Sequence, residues 1–170
     1  MLKMVTTILA LALLVGCTSK EEKALMKVYE TNKSYHKLLQ KTEKVQLYEN
    51  NVTKVLLTAT YLYEQSVEKN QKKDEVFVVG FYAEETESLN PTDFLLTLEG
   101  KKHKSIKQLD KDSPYLKDLS FRAEWMQFYL VHFPHTNKKS FKLVLSSNYY
   151  GKGSLHFAKV AKYVLTKKGF

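Results

Sequence analysis

Two periodicities divide this chain. From Ser19 to about Leu47 the positions Leu25, Val28, Tyr29, Tyr35, Leu38, Leu39, Thr42 and Val45 recur at roughly helical spacing, among lysines and glutamates. That is the pattern of one amphipathic helix. Ser19 followed by Glu22 fits a capping box at its start, and Thr31-Asn32 marks an interruption. Beyond Asn50 the period shortens to β-like runs: KVLLTATYLY, EVFVVGFY, DFLLTLEG, WMQFYLVHF, SFKLVLSS and SLHFAKVAKYVL, with a shorter one around HKSIKQL. In the first of these Val55, Leu57 and Ala59 share one face, while Lys54, Leu56, Thr58 and Thr60 share the other. The tryptophan run is apolar on both faces, with Trp125, Tyr129 and Phe133 on one and Met126, Phe128 and Leu130 on the other. This is expected of a strand inside a sheet or sandwich.

Turn-forming stretches separate the runs: EKNQKKD, LNPTD, KDSPY, FPHTNKK and NYYGKG. Six or seven short strands without regular helices between them exclude a βαβ organisation. They predict a mainly β fold, an antiparallel immunoglobulin-like β-sandwich preceded by an N-terminal helix. The alternative is an α+β sheet packed with helices, and AKVAKYVL at the end of the last run also reads as helical. The antibody Cys-Trp-Cys pattern is absent. In this layout the chain resembles small bacterial lipoproteins with immunoglobulin-like sandwiches, a likeness of architecture.

The extreme N-terminus obeys neither period. Lys3 precedes the uncharged run Val5 to Val15, which is shorter than the ~20 residues a membrane-spanning helix needs. A positive start and a short apolar run ending in a small residue describe a secretory signal peptide. The run closes on Leu14-Val15-Gly16-Cys17, which resembles the lipobox of bacterial lipoproteins. That resemblance implies alkylation of the Cys17 thiol with diacylglycerol and cleavage before it. Two acyl chains give stable anchoring where one gives only marginal binding. Thr18 is not the aspartate that retains such proteins at the inner membrane, so the resemblance implies the outer membrane. The expected organisation is a leader over 1–16, a lipidated N-terminus and helical stalk over 17–49, and the sandwich over 50–170. Cys17 is the only cysteine, so an internal disulfide is excluded, and acylation would remove a free thiol from an oxidising compartment. The plainer reading makes Cys17 a small apolar residue that ends the run.

Charge narrows the partners. The formal net charge is +9, almost all of it lysine, and Arg122 is the sole arginine. Arginine is the usual residue for bidentate phosphate and base recognition, so no nucleic-acid role is expected. Lysines spread along the chain describe a solvated surface, with a basic face for an anionic envelope component as the functional alternative.

Local catalytic chemistry is faint. His132 and His135 frame HFPH, and His36, His103 and His156 lie elsewhere. Pro134 keeps the first pair off one helical face, and zinc needs three or four converging ligands. No metal site or other cofactor is predicted. Glu84, Glu85, Glu87 and Asp93 fall in the proline-containing AEETESLNPTD, where solvated carboxylates are expected rather than an acid/base pair. No G-x-S-x-G elbow or phosphate-binding glycine loop is present. In NYYGKG, Tyr149 and Tyr150 are candidate ligand contacts on a hairpin loop; packing over the sheet edge is the plainer expectation.

The stretches Glu30-Thr31-Asn32-Lys33-Ser34 and Glu49-Asn50-Asn51-Val52-Thr53 each hold N-x-S/T with an acid two residues before the asparagine. They resemble the extended sequon of bacterial oligosaccharyltransferases and make Asn32 and Asn51 candidate glycosylation sites. Together these readings imply a lipid-anchored cell-envelope lipoprotein. It is a non-enzymatic binding or structural module with the membrane and an unknown envelope partner. The alternative is an envelope enzyme or small-ligand carrier with a site built across strands.

Overall fold

The computed structural model describes residues 20–62, 73–84, 89 and 93–159. The chain divides between Lys33 and Ser34 into two units. Helix α1, Lys20–Thr31, belongs to the first, and Leu25, Met26 and Val28 on it are exposed. The expected break falls where the sequence placed it: α1 stops at Thr31 and α2 runs Lys33–Leu39. Ser19, the expected cap, lies outside the described residues.

The helix does not reach Leu47. After α2 the chain turns at Gln40 and Lys41 into strand β1, Thr42–Glu49. Both periods fit this stretch on paper, since Thr42 and Val45 extend the helical stripe while Val45 and Leu47 alternate with Lys44 and Gln46. Pairing decides between them. The Thr42 hydroxyl reaches the Leu38 carbonyl at 2.7 Å and the Thr60 hydroxyl at 2.7 Å, which pins the strand start. Asn50 and Asn51 at φ 49° and 64° then form a two-residue hairpin turn, for which asparagine is well suited. The sandwich therefore begins at Thr42, ahead of the expected boundary at residue 50.

The remaining strands are β2 Val52–Tyr61, β3 Glu75–Ala83, β4 Phe94–Leu98, β5 Lys101–Lys102, β6 Ser105–Leu109, β7 Gln127–Phe133, β8 Ser140–Ser147 and β9 Gly151–Ala158. They form a five-stranded sheet, β1-β2-β3-β7-β6, and a four-stranded sheet, β5-β4-β8-β9. Every pairing among the described residues is antiparallel. The mainly β antiparallel sandwich is thus the fold, with the first three strands as a meander in one sheet. The expected short strand around HKSIKQL is β6. The last run is strand as far as Ala158, and its AKVAKYVL portion beyond Lys159 lies outside the described residues, as does most of EKNQKKD.

The core follows from period two. Phe77, Val79 and Phe81 of β3, Val55, Leu57 and Ala59 of β2, and Leu143, Leu145, Leu155 and Phe157 opposite them are buried between the sheets. An aromatic group fills one end, with Tyr61 5.0 Å from Phe77 and 5.1 Å from Phe141, and Phe77 5.1 Å from Phe157. These separations are those at which ring pairs add to simple burial.

β3 and β7 are apolar on both faces because the five-stranded sheet is covered twice. On its outer face Val78 and Phe128 pack under Leu116, Leu119 and Met126, brought there by the β6–β7 connection. Gly80 makes room for this roof, since a Cβ there would lie 2.8 Å from the Phe121 ring. Trp125 departs from expectation. Strand β7 begins at Gln127, and Trp125 stands edge-on to Tyr82 at 5.1 Å, 56% exposed, instead of sharing the core face of Tyr129 and Phe133.

The β4–β5 turn carries a local electrostatic tie. Glu99 holds φ 50° beside Gly100 at 78°, an unusual conformation for a residue with a Cβ. Its carboxylate accepts the Lys142 backbone N–H at 2.7 Å and pairs with the Lys138 ammonium. The Lys138 hydrogen bond first, then the Lys142 N–H, hold its pKa below the usual glutamate value. A depressed folded-state pKa stabilises the fold above the ordinary carboxylate range, and that contribution is lost as pH falls through the folded value. The Tm difference between the native chain and Glu99→Gln should therefore be largest near neutrality and shrink on acidification toward about pH 3, followed by thermal melts at low salt. A constant difference over that range would show that ionisation of Glu99 contributes nothing.

Candidate functional site

The most concentrated polar chemistry lies inside the fold, at the aromatic end of the sandwich. Tyr61 is the last residue of β2, Glu75 the first of β3, and Lys159 follows β9 directly. Each continues the inward phase of its strand: Tyr61 after Leu57 and Ala59, Glu75 before Phe77 and Val79, Lys159 after Leu155 and Phe157. The three converge where the sheets close. Glu75 is 2% exposed.

Its carboxylate is well supplied with donors. Oε1 takes Lys159 Nζ at 2.7 Å and the Thr136 backbone N–H at 3.0 Å, with His135 Nδ1 at 3.2 Å. Oε2 takes the Tyr61 hydroxyl. Lys159 Nζ also donates to the Thr136 carbonyl at 2.5 Å. His135 is placed by its other contacts, Nδ1 to the Lys73 carbonyl at 3.0 Å and Nε2 to Asn137 Oδ1 at 3.1 Å. Above the Tyr61 ring, Lys41 Nζ stands 5.7 Å from the centroid, in the range of a cation–π contact.

The donors are uneven: Lys159, the Thr136 N–H and His135 crowd Oε1, with the His135 Nδ1 proton shared with the Lys73 carbonyl, and the Tyr61 hydroxyl alone serves Oε2. At 2% exposure Glu75 is closed to solvent. Such a group ties elements together: β2, β3, the β7–β8 loop and the end of β9 all meet on it. A general acid or base must lie within reach of substrate, and a carboxylate sealed beneath these donors does not.

The residues singled out in the sequence are dispersed. Cys17 and residues 1–16, the expected leader, lie outside the described residues, as do Glu85 and Glu87. Asn32 is exposed between α1 and α2, and Asn51 is exposed at the β1–β2 hairpin tip. Beside Asn51, the Thr53 hydroxyl accepts a bond from Gln46 Nε2 at 3.3 Å. The two tyrosines part company: Tyr150 packs against the main core, whereas Tyr149 is 74% exposed at the β8–β9 tip. Their rings are 6.2 Å apart. Glu84 is a surface residue bridged to Lys54 at 2.5 Å, and Asp93 is half-buried just before β4.

The five histidines do not gather. His36 lies on α2, His103 at the crossing between sheets, His132 in β7, His135 on the Glu75 cluster and His156 on β9. Among the described residues no group of three or more His, Cys, Asp or Glu side chains is placed to hold a metal ion. Compared with family models, curated proteins and solved structures, this chain has no significant match.

The Glu75 cluster escapes motif reading because it follows no spacing rule. Its signal is phase: a glutamate, a lysine and a tyrosine stand at strand ends where alternation demands an inward side chain. A charged residue in phase with a core face must find a partner or be costly, and the partners within reach are others like it.

Proposed function

We propose that this chain is a lipid-anchored cell-envelope protein whose β-sandwich is a binding module. The observation that carries the anchor is Leu14-Val15-Gly16-Cys17 after an uncharged run, with no other cysteine in the sequence. The observation that favours binding over catalysis is the state of Glu75. The main buried polar cluster among the described residues is consumed in holding the sandwich together, while the exposed side chains with binding character, such as Tyr149, sit on a loop tip. Loops presented by a rigid scaffold are the usual place for recognition. Among the described residues no helix is long and apolar enough to cross a membrane, so attachment in this reading comes from the acylated Cys17. Asn32 and Asn51 are open to modification in a host with the matching glycosyltransferase.

Metabolic labelling with a palmitate analogue tests the reading. The native chain expressed in a Gram-negative host should take up label, appear in the membrane fraction and be shortened by the leader. Cys17→Ala should lose the label and accumulate at precursor mass. Unlabelled native protein, or normal cleavage and membrane retention of Cys17→Ala, refutes it. Intact mass of the protein purified from its own host, beside an Asn32→Gln, Asn51→Gln double variant, reports glycan at the two sites.

A further inference from the structure

The two outer faces of the sandwich are treated differently. The face of the five-stranded sheet lies under the roof of Leu116, Leu119 and Met126. On the four-stranded sheet, Leu96, Leu98, Leu143, Leu145 and Leu155 point inward, so the alternate positions form the other outer face. Among these, Lys142, Lys152 and His156 are exposed, Leu95 is 38% exposed, and Lys102 at the edge is exposed as well. Between them lie Thr97, Val144, Ser146 and Ser154, none of them charged.

Its charge is one-sided. Lys102 stands opposite Thr97, Lys142 opposite His156, and Lys152 in the row Leu95, Ser146, Lys152. The nearby carboxylate of Glu99 is already engaged by Lys138 and the Lys142 N–H. Lys142 and Ser146, the position opposite Lys152, are separated by about 13 Å along β8 at strand rise. Charges that far apart cannot converge on a single small anion. They suit an extended surface carrying many anions.

At one end of the face an apolar and an aromatic side chain accompany the cations. Leu95 shares the row of Lys152, and Tyr149 projects from the β8–β9 tip just before that strand begins. Tyrosine is favoured at the headgroup level of a bilayer, where its ring is buried and its hydroxyl wet. We propose that the outer face of the four-stranded sheet docks on an anionic phospholipid surface. Lys102, Lys142 and Lys152 meet headgroup phosphates, and Leu95 and Tyr149 enter the interface. The choice of partner rests on the membrane-anchored reading above; the charge of the face does not.

The test uses the full chain carrying Cys17→Ala, so that no acyl group contributes. Co-sedimentation is measured with phosphatidylcholine vesicles and with vesicles holding about 30 mol% phosphatidylglycerol, a content that gives a negative surface potential. The uncleaved leader, with Lys3 and the amino terminus, also favours the anionic vesicles, so the face is read from the difference between this chain and its lysine variants, which share the same leader. Binding should be stronger to the anionic vesicles and fall steeply with salt. Each lysine contributes about fivefold. Lys102→Gln, Lys142→Gln and Lys152→Gln together should therefore cost on the order of 100-fold, while the three Lys→Arg changes retain binding. Equal binding to both vesicles overturns the proposal, as does a triple glutamine variant that binds unchanged. Displacement by inorganic phosphate beyond the effect of chloride at equal ionic strength also overturns it, since that would mark a discrete anion site. Because this readout needs no acylation and the labelling readout needs no lysine face, either can fail alone.

Discussion

Glu75→Ala should lose about 3–5 kcal/mol of unfolding free energy, the usual cost of removing one partner of a buried ion pair. The carboxylate is almost sealed from solvent, and Lys159 opposite it is itself only 14% exposed. Truncation removes the counter-charge of the part-buried Lys159 ammonium, which keeps the Thr136 carbonyl as an acceptor. It also removes the acceptor of the Thr136 N–H and of the Tyr61 hydroxyl. A buried donor without an acceptor carries its own penalty of about 1–3 kcal/mol. Glu75→Gln should lose less, because an amide still offers an oxygen to one donor and keeps the volume. The double change Glu75→Leu with Lys159→Met should recover much of the loss, since replacing both charges leaves none stranded. Urea unfolding of the native chain and these three variants checks the order. If Glu75→Ala lies within about 1 kcal/mol of the native chain, well below the cost of a broken buried pair, the cluster is not the tie that its geometry describes.

That cluster also shows what was readable in the sequence. The strands beyond residue 50, the two-faced character of β7 and the inward face of β2 followed from the pattern of apolar positions, because burial on one or both faces of a sheet leaves a period-two or continuous apolar run. Where a helix and a strand were both compatible with the side chains, as at Thr42–Val45, local pattern could not decide. The deciding terms were the Thr42–Thr60 contact and the pairing of β1 with β2, which join residues far apart in sequence. Trp125 was misplaced for a related reason. It would share the inward phase of Tyr129 and Phe133 only if the strand extended that far, and β7 starts at Gln127. The candidate sites fared according to how local they are. A hairpin tip is set by neighbours, so NYYGKG was legible as a turn, although the sequence did not separate the exposed Tyr149 from the packed Tyr150, and Asn51 was expected at the end of the helical region and not in a hairpin. The bonds of Glu75 span 14 to 84 residues, and only folding brings them together.

Gly153 is the position where the smallest addition should do the most damage. It faces inward on β9, opposite Leu145 and two residues before Leu155, at the margin where β1 and β9 approach one another. A Cβ placed there would lie 2.2 Å from Val45 Cγ2 and 3.0 Å from Leu47 Cδ2. Neither neighbour yields easily. Val45 is β-branched and stiff at χ1, and both are held by the pairing of β1 with β2, Val45 opposite Leu57 and Leu47 opposite Val55. The overlap must be relieved by moving a strand, so Gly153→Ala should cost about 2–3 kcal/mol, the upper part of the range for overpacking. The sign is the informative part. At a strand position with open space the same change would stabilise by about 0.4–1 kcal/mol, through the lost freedom of the unfolded chain. Val45→Ala alone removes partly buried methyl groups that pack against the core and should also destabilise. Combined with Gly153→Ala it supplies the missing room, so the double variant should be more stable than the sum of the two losses by about 1–2 kcal/mol, within the range found for residues in contact. Denaturant unfolding of the two singles and the double measures that coupling. Strict additivity, or a stabilising Gly153→Ala, would mean that β1 and β9 do not close on each other at this point.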